Sequence, residues 1–294
     1  MTGDPFDAYQ SLAEESEDHR WAFGTGFTDP LEGIDTSVPA GVDAGALAAY
    51  CLMLADDALV YSHRLQQWMT RMPELEEETA LANIALDLLG QARMLLARAG
   101  GAEGRGRDED QLAFFREEGE FRNVRLVEAL DADFAQLVGR LLVFAAWRLA
   151  LFGELAGSAD PVLAAIAAKG AKELAYHRDY AAQWVIRLGD GTALSHARMQ
   201  AALDGMWPLV GELLRPDAVA GALPGVAVPP QALRDGVDAV LDAVLAEATL
   251  DRPPDAPVAL VDGRGGRDGV HTEAFGYLLA ELQSLARAHP DATW

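Results

Sequence analysis

The chain has 294 residues, which is long enough to bury a large hydrophobic core as one domain or as two smaller ones. Half of the residues are hydrophobic and 23% are charged, a composition that excludes disorder of the whole chain. The 46 acidic residues against 23 Lys and Arg give a formal charge of −23, and a field of that sign repels nucleic-acid phosphates and anionic lipid surfaces, which argues against both kinds of partner.

The cysteine content and the N-terminal sequence predict a cytoplasmic protein. The single cysteine, Cys51, excludes an intramolecular disulfide and a multi-thiolate metal site, and its apolar neighbours favour an inert buried thiol over a nucleophile. Residues 1–20 are acidic and lack the basic start and apolar run of a signal peptide. The longest apolar stretch, 141–152, contains Arg148 and is too short to span a bilayer, so it predicts a buried helix.

Residues 1–44 mix acidic residues, Gly and Pro without sustained apolar periodicity. Such a segment buries too little apolar surface to offset its ordering entropy, so we expect an acidic, disordered extension. The alternative is a segment that docks a partner through Trp21, Phe23 and Phe27.

Residues 45–294 form the predicted helical domain. Apolar residues recur every three or four positions over 46–70 and 75–98, which predicts two amphipathic helices, the second ended by Gly100 and Gly101. A charged, glycine-rich loop over 101–110 follows, and one or two short helices are expected within 112–128.

The rest of the chain continues the helical pattern. A helix capped by Asp133 is expected to reach about residue 155, and Asp160-Pro161 is expected to open a helix of nearly 30 residues that closes at Gly189. Further helices are predicted over 195–214, 230–248 and 272–288, with a Pro- and Gly-rich loop at 252–270. Strand-like alternation is almost absent and no fixed repeat links the helices, so we predict an all-α fold, a long four-helix bundle with additional shorter helices.

Long four-helix bundles invite a test for a di-iron carboxylate site, which uses one Glu on each of two helices and Glu-x-x-His on each of the other two. His177 lies on the apolar stripe of its helix, but Leu174 stands three residues before it, and Leu88 and Gln91 stand where the second motif belongs. Leucine cannot coordinate a metal, and a Gln amide is a poor substitute for imidazole. We therefore expect no catalytic, cofactor-binding or metal-binding residue, and we interpret His177 as a core histidine paired with a polar neighbour.

An alternative is an active di-iron oxidase whose ligands lie off this register, such as Asp57, Asp87, Glu173 and His177, with Asp179 also close to one position. Iron in the purified chain would distinguish the two hypotheses.

Other catalytic motifs are missing. The sequence contains no Gly-x-Ser-x-Gly elbow, no Walker loop and no dinucleotide-binding fingerprint after a strand. Arg105 and Arg107 could contact an anionic group, but the acidic run 108–110 that follows favours a solvated loop.

Four segments, at 74–100, 104–128, 167–192 and 271–294, are similar in wording and spacing to a known family; they read ELEEETALANIALDLLGQARMLLARAG, GRGRDEDQLAFFREEGEFRNVRLVE, AAKGAKELAYHRDYAAQWVIRLGDGT and HTEAFGYLLAELQSLARAHPDATW. They resemble the C subunits of bacterial ring 1,2-phenylacetyl-CoA epoxidases. The resemblance covers about 45–294, and residues 1–44 lie outside it.

The resemblance implies a ferritin-like fold and a non-catalytic, structural subunit of a multicomponent monooxygenase in phenylacetate catabolism. Its partner, the homologous A subunit, holds the di-iron centre and inserts one oxygen atom into the ring of phenylacetyl-CoA. Where the A subunit has a motif similar to Asp-Glu-Ala-Gly-His, this chain has Asp87-Leu88-Leu89-Gly90-Gln91.

The family also implies small B and D subunits and a reductase that uses NADPH, FAD and an iron–sulfur cluster. By this reading the chain holds no cofactor of its own. Whether Arg105 and Arg107 reach coenzyme A across an interface stays open.

Overall fold

The structure is a computed structural model that describes residues 31, 33–72, 74–255 and 257–292. The docking hypothesis for Trp21, Phe23 and Phe27 lies outside the described residues. All elements below belong to one unit, Gly33–Trp294.

Helices account for the regular structure. In chain order they are α1 (Ala44–Gln66), α2 (Leu75–Glu103), α3 (Glu109–Phe114), α4 (Phe134–Leu155), α5 (Pro161–Gly189), α6 (Ala193–Val210), α7 (Ala218–Gly221), α8 (Arg234–Glu247) and α9 (Glu273–Ala288). Short 3₁₀ turns lie at Met69–Arg71, Glu118–Glu120, Arg125–Glu128, Gly211–Leu214, Pro230–Leu233 and Gly266–Asp268. The described residues contain no β-strand beyond an isolated bridge between Val261 and Arg264. The predicted all-α class is confirmed.

Aspartates begin three of the four long helices. The side chains of Asp43, Asp133 and Asp160 accept backbone N–H groups of Ala46, Gln136 and Leu163, respectively. Each cap satisfies an N–H that has no partner within its helix. The predicted starts at Asp133 and Asp160-Pro161 and the predicted end at Gly189 are therefore confirmed.

The end of α2 was predicted wrongly. Gly100 and Gly101 continue the helix, which reaches Glu103 and ends at Gly104 with a left-handed φ of 67°. Gly100 serves a different purpose, because a Cβ there would lie 2.1 Å from the carbonyl oxygen of Arg107. The missing side chain lets the following loop pack directly against the helix.

The next segment also differs from the prediction. Helix α3 begins at Glu109, before the expected 112–128, because Asp108 and Gln111 form a reciprocal capping box. The remainder of that segment forms the 3₁₀ turns Glu118–Glu120 and Arg125–Glu128.

Four long helices form the core bundle. Helix α1 packs along α2, α4 packs along α5, and α2 contacts α5. Helices α1 and α4 meet through Tyr61 and Phe144, whose rings lie edge to face with centroids 4.7 Å apart. The shorter helices α6 and α8 pack against α4 and α5. The predicted four-helix bundle with additional shorter helices is confirmed.

The segment before α1 is fastened to α2. Arg98 of α2 is buried and donates to the carbonyl oxygens of Thr36 and Ser37, and it forms a buried ion pair with Asp160. Residues 36 and 37 fall within the stretch 1–44 that we assigned to an extension. At these two residues the chain is therefore held against the bundle.

Three stretches have the length and apolar composition of membrane-crossing helices: Ala44–Arg71, Leu75–Glu103 and Phe134–Leu155. In the fold, 72% of the most apolar window of the first and 78% of that of the third are buried, so their apolar residues build the core. For α2 the figure is only 44%. Helix α2 thus keeps an apolar surface that the described residues do not cover.

Candidate functional site

The positions that would hold a di-iron centre all face the core. Leu88, Gln91 and Leu174 have no exposed surface, and His177 is 1% exposed. The spacing of apolar residues in the sequence therefore placed these residues correctly on the inner faces of α2 and α5. Two of the four side chains are leucines, which have no atom that can bind a metal.

A buried arginine from α4 takes part in the hydrogen bonding at this level. Arg148 has no exposed surface, and its Nε donates to Oε1 of Gln91 at 2.9 Å. Its Nη1 donates to the carbonyl oxygen of Leu54 at 3.2 Å, and its guanidinium lies 4.5 Å from the ring centroid of Phe152. Gln91 in turn donates from Nε2 to Glu173 at 3.0 Å. This arginine network, Arg148 with Gln91 and Glu173, links α4, α2 and α5.

A glycine on α5 makes room for the arginine network. A Cβ at Gly170 would lie 2.7 Å from the ring of Phe152 and 3.2 Å from Nε2 of Gln91. The absent side chain therefore lets the aromatic ring and the amide reach their places beside Arg148.

Burial makes the guanidinium of Arg148 a stronger acid than it is in water. Removal from water lowers the pKa of Arg148 to about 10, while the negative field of Asp57 acts in the opposite direction. The side chain still carries its positive charge at neutral pH. The bundle centre thus contains a fixed organic cation near the place where a di-iron protein gathers carboxylates around metal cations.

His177 has a polar partner, which could not be identified from the sequence. Its Nε2 lies 3.0 Å from Oδ2 of Asp87, whose side chain is about one-third exposed. The pair joins α5 to α2 at the edge of the core. The interpretation of His177 as a paired core histidine is confirmed.

The off-register ligand set is not assembled. Asp57 accepts the backbone N–H of Val124 and two nitrogens of Arg267, at 2.7 to 3.0 Å. Glu173 bonds Gln91 and Lys169, whereas Asp179 is exposed and pairs with Arg178. Within the part of the chain that the structure describes, no three His, Cys, Asp or Glu side chains are placed to hold a metal ion. A di-iron centre does not fit these residues.

Two neighbouring acids on α1 instead fasten loops to the bundle. Asp56 and Asp57 are both fully buried. Asp56 pairs with Arg116 and also accepts the N–H of Arg122 at 2.9 Å, and Asp57 pairs with Arg267 from the loop before α9. Burial raises the pKa of Asp57 and the charge of Arg267 lowers it, with burial the larger effect. Both acids therefore hold loop residues against α1.

Of the remaining reactive candidates, Arg107 is engaged in hydrogen bonds and Cys51 is inaccessible. Arg107 donates two hydrogen bonds to Glu103, each 2.7 Å long, whereas Arg105 lies exposed on the same loop. Cys51 has no exposed surface, and burial raises the pKa of its thiol, so the predicted burial of this cysteine is confirmed.

The role of Arg148 was missed at the sequence level, although one signal pointed to it. An arginine inside the apolar run 141–152 must either face water or find buried acceptors. The same helix carries Arg140, which is also buried and pairs with Asp131. The hydrophobic pattern of the sequence showed that Arg148 interrupts the apolar run, but it did not show which residues accept hydrogen bonds from the two arginines.

Three large apolar side chains close in sequence to Asp87 or His177 are exposed on α2 and α5. Leu86 and Leu89 flank Asp87 on α2 and are 60% and 39% exposed, and Tyr176, next to His177 on α5, is 51% exposed. We call Leu86, Leu89 and Tyr176 the α2–α5 face. Large apolar side chains left in water at neighbouring positions mark a surface suited to another protein.

The comparisons with known proteins agree with the resemblance read from the sequence. A sequence model of the family described as phenylacetic acid catabolic protein matches residues 35–294. One relative is named as the C subunit of the 1,2-phenylacetyl-CoA epoxidase of Escherichia coli (strain K12). It is 45% identical over 250 residues, which cover 84% of this chain and 99% of that protein. The family has a ferritin-like helical fold, so the ferritin-like expectation is confirmed as well.

Proposed function

The chain belongs to the phenylacetic acid catabolic protein family, and from that membership we propose that it is a non-catalytic, structural subunit of a phenylacetyl-CoA epoxidase in phenylacetate catabolism. The relative's name places it as one subunit of an epoxidase. The catalytic step then belongs to a homologous A subunit that holds the di-iron centre.

One observation carries the non-catalytic assignment: the buried guanidinium of Arg148 bonds Gln91, which stands at one of the positions that would bind metal. A metal ion near this buried cation would be repelled by about 3 kcal/mol for each unit of its charge at roughly 5 Å, with an effective dielectric constant near 20. The two leucines at the ligand positions supply no compensating donor.

The proposed partners follow from the resemblance. They are the A subunit, the small B and D subunits, and a reductase that uses NADPH, FAD and an iron–sulfur cluster, with phenylacetyl-CoA as the substrate of the whole complex. This chain would contain no cofactor. The charge of −23 argues against nucleic acid and anionic membranes as partners, and we propose a cytoplasmic location.

We propose that the α2–α5 face contacts the A subunit. Its three large side chains are exposed, and the apolar window of α2 is the least buried of the three apolar helices. Permanent subunit interfaces are large and have apolar centres, which such a face would supply.

The interface is tested by replacing Leu86 and Leu89 together with Lys. Tyr277→Lys is the matched control, because Tyr277 is also exposed, at 70%, but lies on α9. With equal helical content and melting temperature, the double variant should lose co-purification with the A subunit, and the control should keep it. If the double variant still co-purifies in full yield, the α2–α5 face is not the interface.

The non-catalytic role is tested by product formation. The purified chain, mixed with reductase and phenylacetyl-CoA but without the A subunit, should form no epoxide. Addition of the A subunit should restore turnover. Turnover by the chain alone, with stoichiometric iron, would instead support the off-register oxidase.

A further inference from the structure

A groove of about 790 Å³ lies between α3 and the C-terminal end of α9. The apolar side chains that line it include Phe114, Phe115, Leu282, Leu285, Ala286 and Pro290. Phe115 and Leu285 are 40% and 54% exposed, so the groove is open at these side chains. Large apolar side chains that are grouped in an open groove mark a surface suited to a partner.

Hydrogen bonds hold the two walls of the groove together. Gln283 of α9 is buried, and its Nε2 donates to the carbonyl oxygens of Ala113 and Arg116 at 3.1 and 3.0 Å. One turn later, Arg287 donates to the carbonyl oxygens of Phe114 and Arg116. The walls are therefore fixed in place within this chain, which lowers the entropy cost of binding a partner.

The rim of the groove is acidic. Asp108 and Asp110 line it, and Asp110 has no ion-pair partner among the described side chains. Burial and the negative charges of Glu109 and Asp108 raise the pKa of Asp110. Arg107 also lines the groove, but two hydrogen bonds hold it to Glu103. The rim thus has an excess of negative charge that a cationic partner would balance.

The charge and the length of the groove select one kind of occupant. Anionic ligands are repelled, and a second copy of this chain would bring the same acids to the same rim in a symmetric dimer. The helical part of the α9 wall, from Leu282 to Ala288, is about 9 Å long at 1.5 Å per residue. This length matches about two turns of a partner helix, which would place apolar side chains at three- or four-residue spacing against the wall.

We propose that this α3–α9 groove binds an amphipathic helix of another protein, whose apolar side chains enter the groove and whose Lys or Arg side chains pair with Asp108 and Asp110. The proposal does not rest on the structural role in the epoxidase, and it uses different residues from those of the α2–α5 face.

Three fluorescein-labelled peptides of about 14 residues separate the contributions. The first has leucines at helical spacing and lysines elsewhere, the second replaces every lysine with glutamate, and the third replaces every leucine with serine. The third measures the general attraction of a cationic peptide to a chain of charge −23. Each peptide is titrated into the full chain at pH 8 and physiological salt, and binding is followed by fluorescence anisotropy. The first should bind at least about tenfold more tightly than either of the others.

Two variants locate the binding, each with a matched control. Leu285→Ser removes an apolar wall residue and should weaken the first peptide about fivefold. Tyr277→Ser, at an exposed position of the same helix, should leave its affinity unchanged. Asp110→Asn removes a rim charge and should weaken the first peptide about two- to threefold. Asp235→Asn should not, although it also removes an acid from the first turn of a helix, α8.

Three results would overturn the proposal. The first peptide could bind no better than the third, as would also happen if another segment of this chain covers the groove. Leu285→Ser and Tyr277→Ser could weaken binding equally. Light scattering could show a dimer that Leu285→Ser converts to a monomer, which would assign the groove to contact between two copies. If circular dichroism shows that Leu285→Ser does not fold, Asp110→Asn, its control and the wild-type titrations decide.

Discussion

Replacing Arg148 with Met removes the cation at the bundle centre while keeping an unbranched apolar chain in its place. The lowered pKa gives the free energy already spent on holding this charge in the core. The fall of the pKa from its ordinary value to about 10 corresponds to roughly 3 kcal/mol at 1.36 kcal/mol per pKa unit. Because the folded pKa lies below the unfolded one, this cost is present in full below pH 10 and declines as the pH rises further. At neutral pH the Met variant does not carry the free-energy cost of burying this charge.

The same replacement also removes hydrogen bonds. Oε1 of Gln91 loses its donor, and an unsatisfied buried acceptor costs about 1 to 3 kcal/mol. The carbonyl of Leu54 lies within α1, where the helix supplies a donor of its own. Arg148 has no carboxylate within ion-pair distance among the described side chains, so no buried anion is left alone. We therefore expect Arg148→Met to change the free energy of unfolding by less than about 2 kcal/mol.

Arg267→Met is the matched comparison. Arg267 forms hydrogen bonds to both carboxylate oxygens of Asp57, which is fully buried. Removing one member of a buried ion pair leaves an uncompensated charge and costs about 3 to 5 kcal/mol. Urea unfolding at pH 7, followed by the circular dichroism signal of the helices, gives the free energy of unfolding of both variants. The dependence of that free energy on urea concentration should be the same in both. If Arg148→Met destabilises the protein as much as Arg267→Met does, the reasoning about Arg148 is wrong.

Other predictions concern packing and reactivity. Gly100→Ala should lower the melting temperature, since its Cβ would meet the carbonyl of Arg107, whereas Gly101→Ala, with open space around its Cβ, should leave it unchanged or raise it slightly; an equal effect of both would contradict the close approach. Cys51 should resist iodoacetamide in the native protein and react once urea unfolds it, as mass spectrometry would show, and rapid native labelling would refute its burial. A chain that begins at residue 39 should melt below one that begins at 33, because Arg98 loses its two carbonyl acceptors while the Asp43 cap of α1 is kept; equal melting would show that these bonds contribute nothing.

The local parts of the fold could be predicted from the sequence. Asp160-Pro161 and Gly189 determine the ends of α5 through chain geometry within a few residues, and the apolar period placed Leu88 and Gln91 inside the bundle. The end of α2 could not be predicted this way, because Gly100 is required by a contact with a loop that the helical pattern does not contain.

The candidate site was only half predictable for the same reason. The residue types alone show that metal ligands are missing from the expected positions. The hydrogen-bond and ion-pair partners of the polar side chains, however, are set by packing between distant segments. Asp57 meets Arg267 across 210 residues, and His177 meets Asp87 across 90. Each of these polar side chains has several candidate partners in the sequence, and only the assembled bundle selects one.

The non-catalytic assignment is tested most directly by the iron content of the purified chain. The protein is expressed with iron supplied, purified without the A subunit, and measured by plasma mass spectrometry, beside the A subunit treated identically. We expect less than about one-tenth of an iron atom per chain here and a filled di-iron centre in the A subunit. About two iron atoms per chain, lost when Glu173 and His177 are replaced by Ala, would contradict the account.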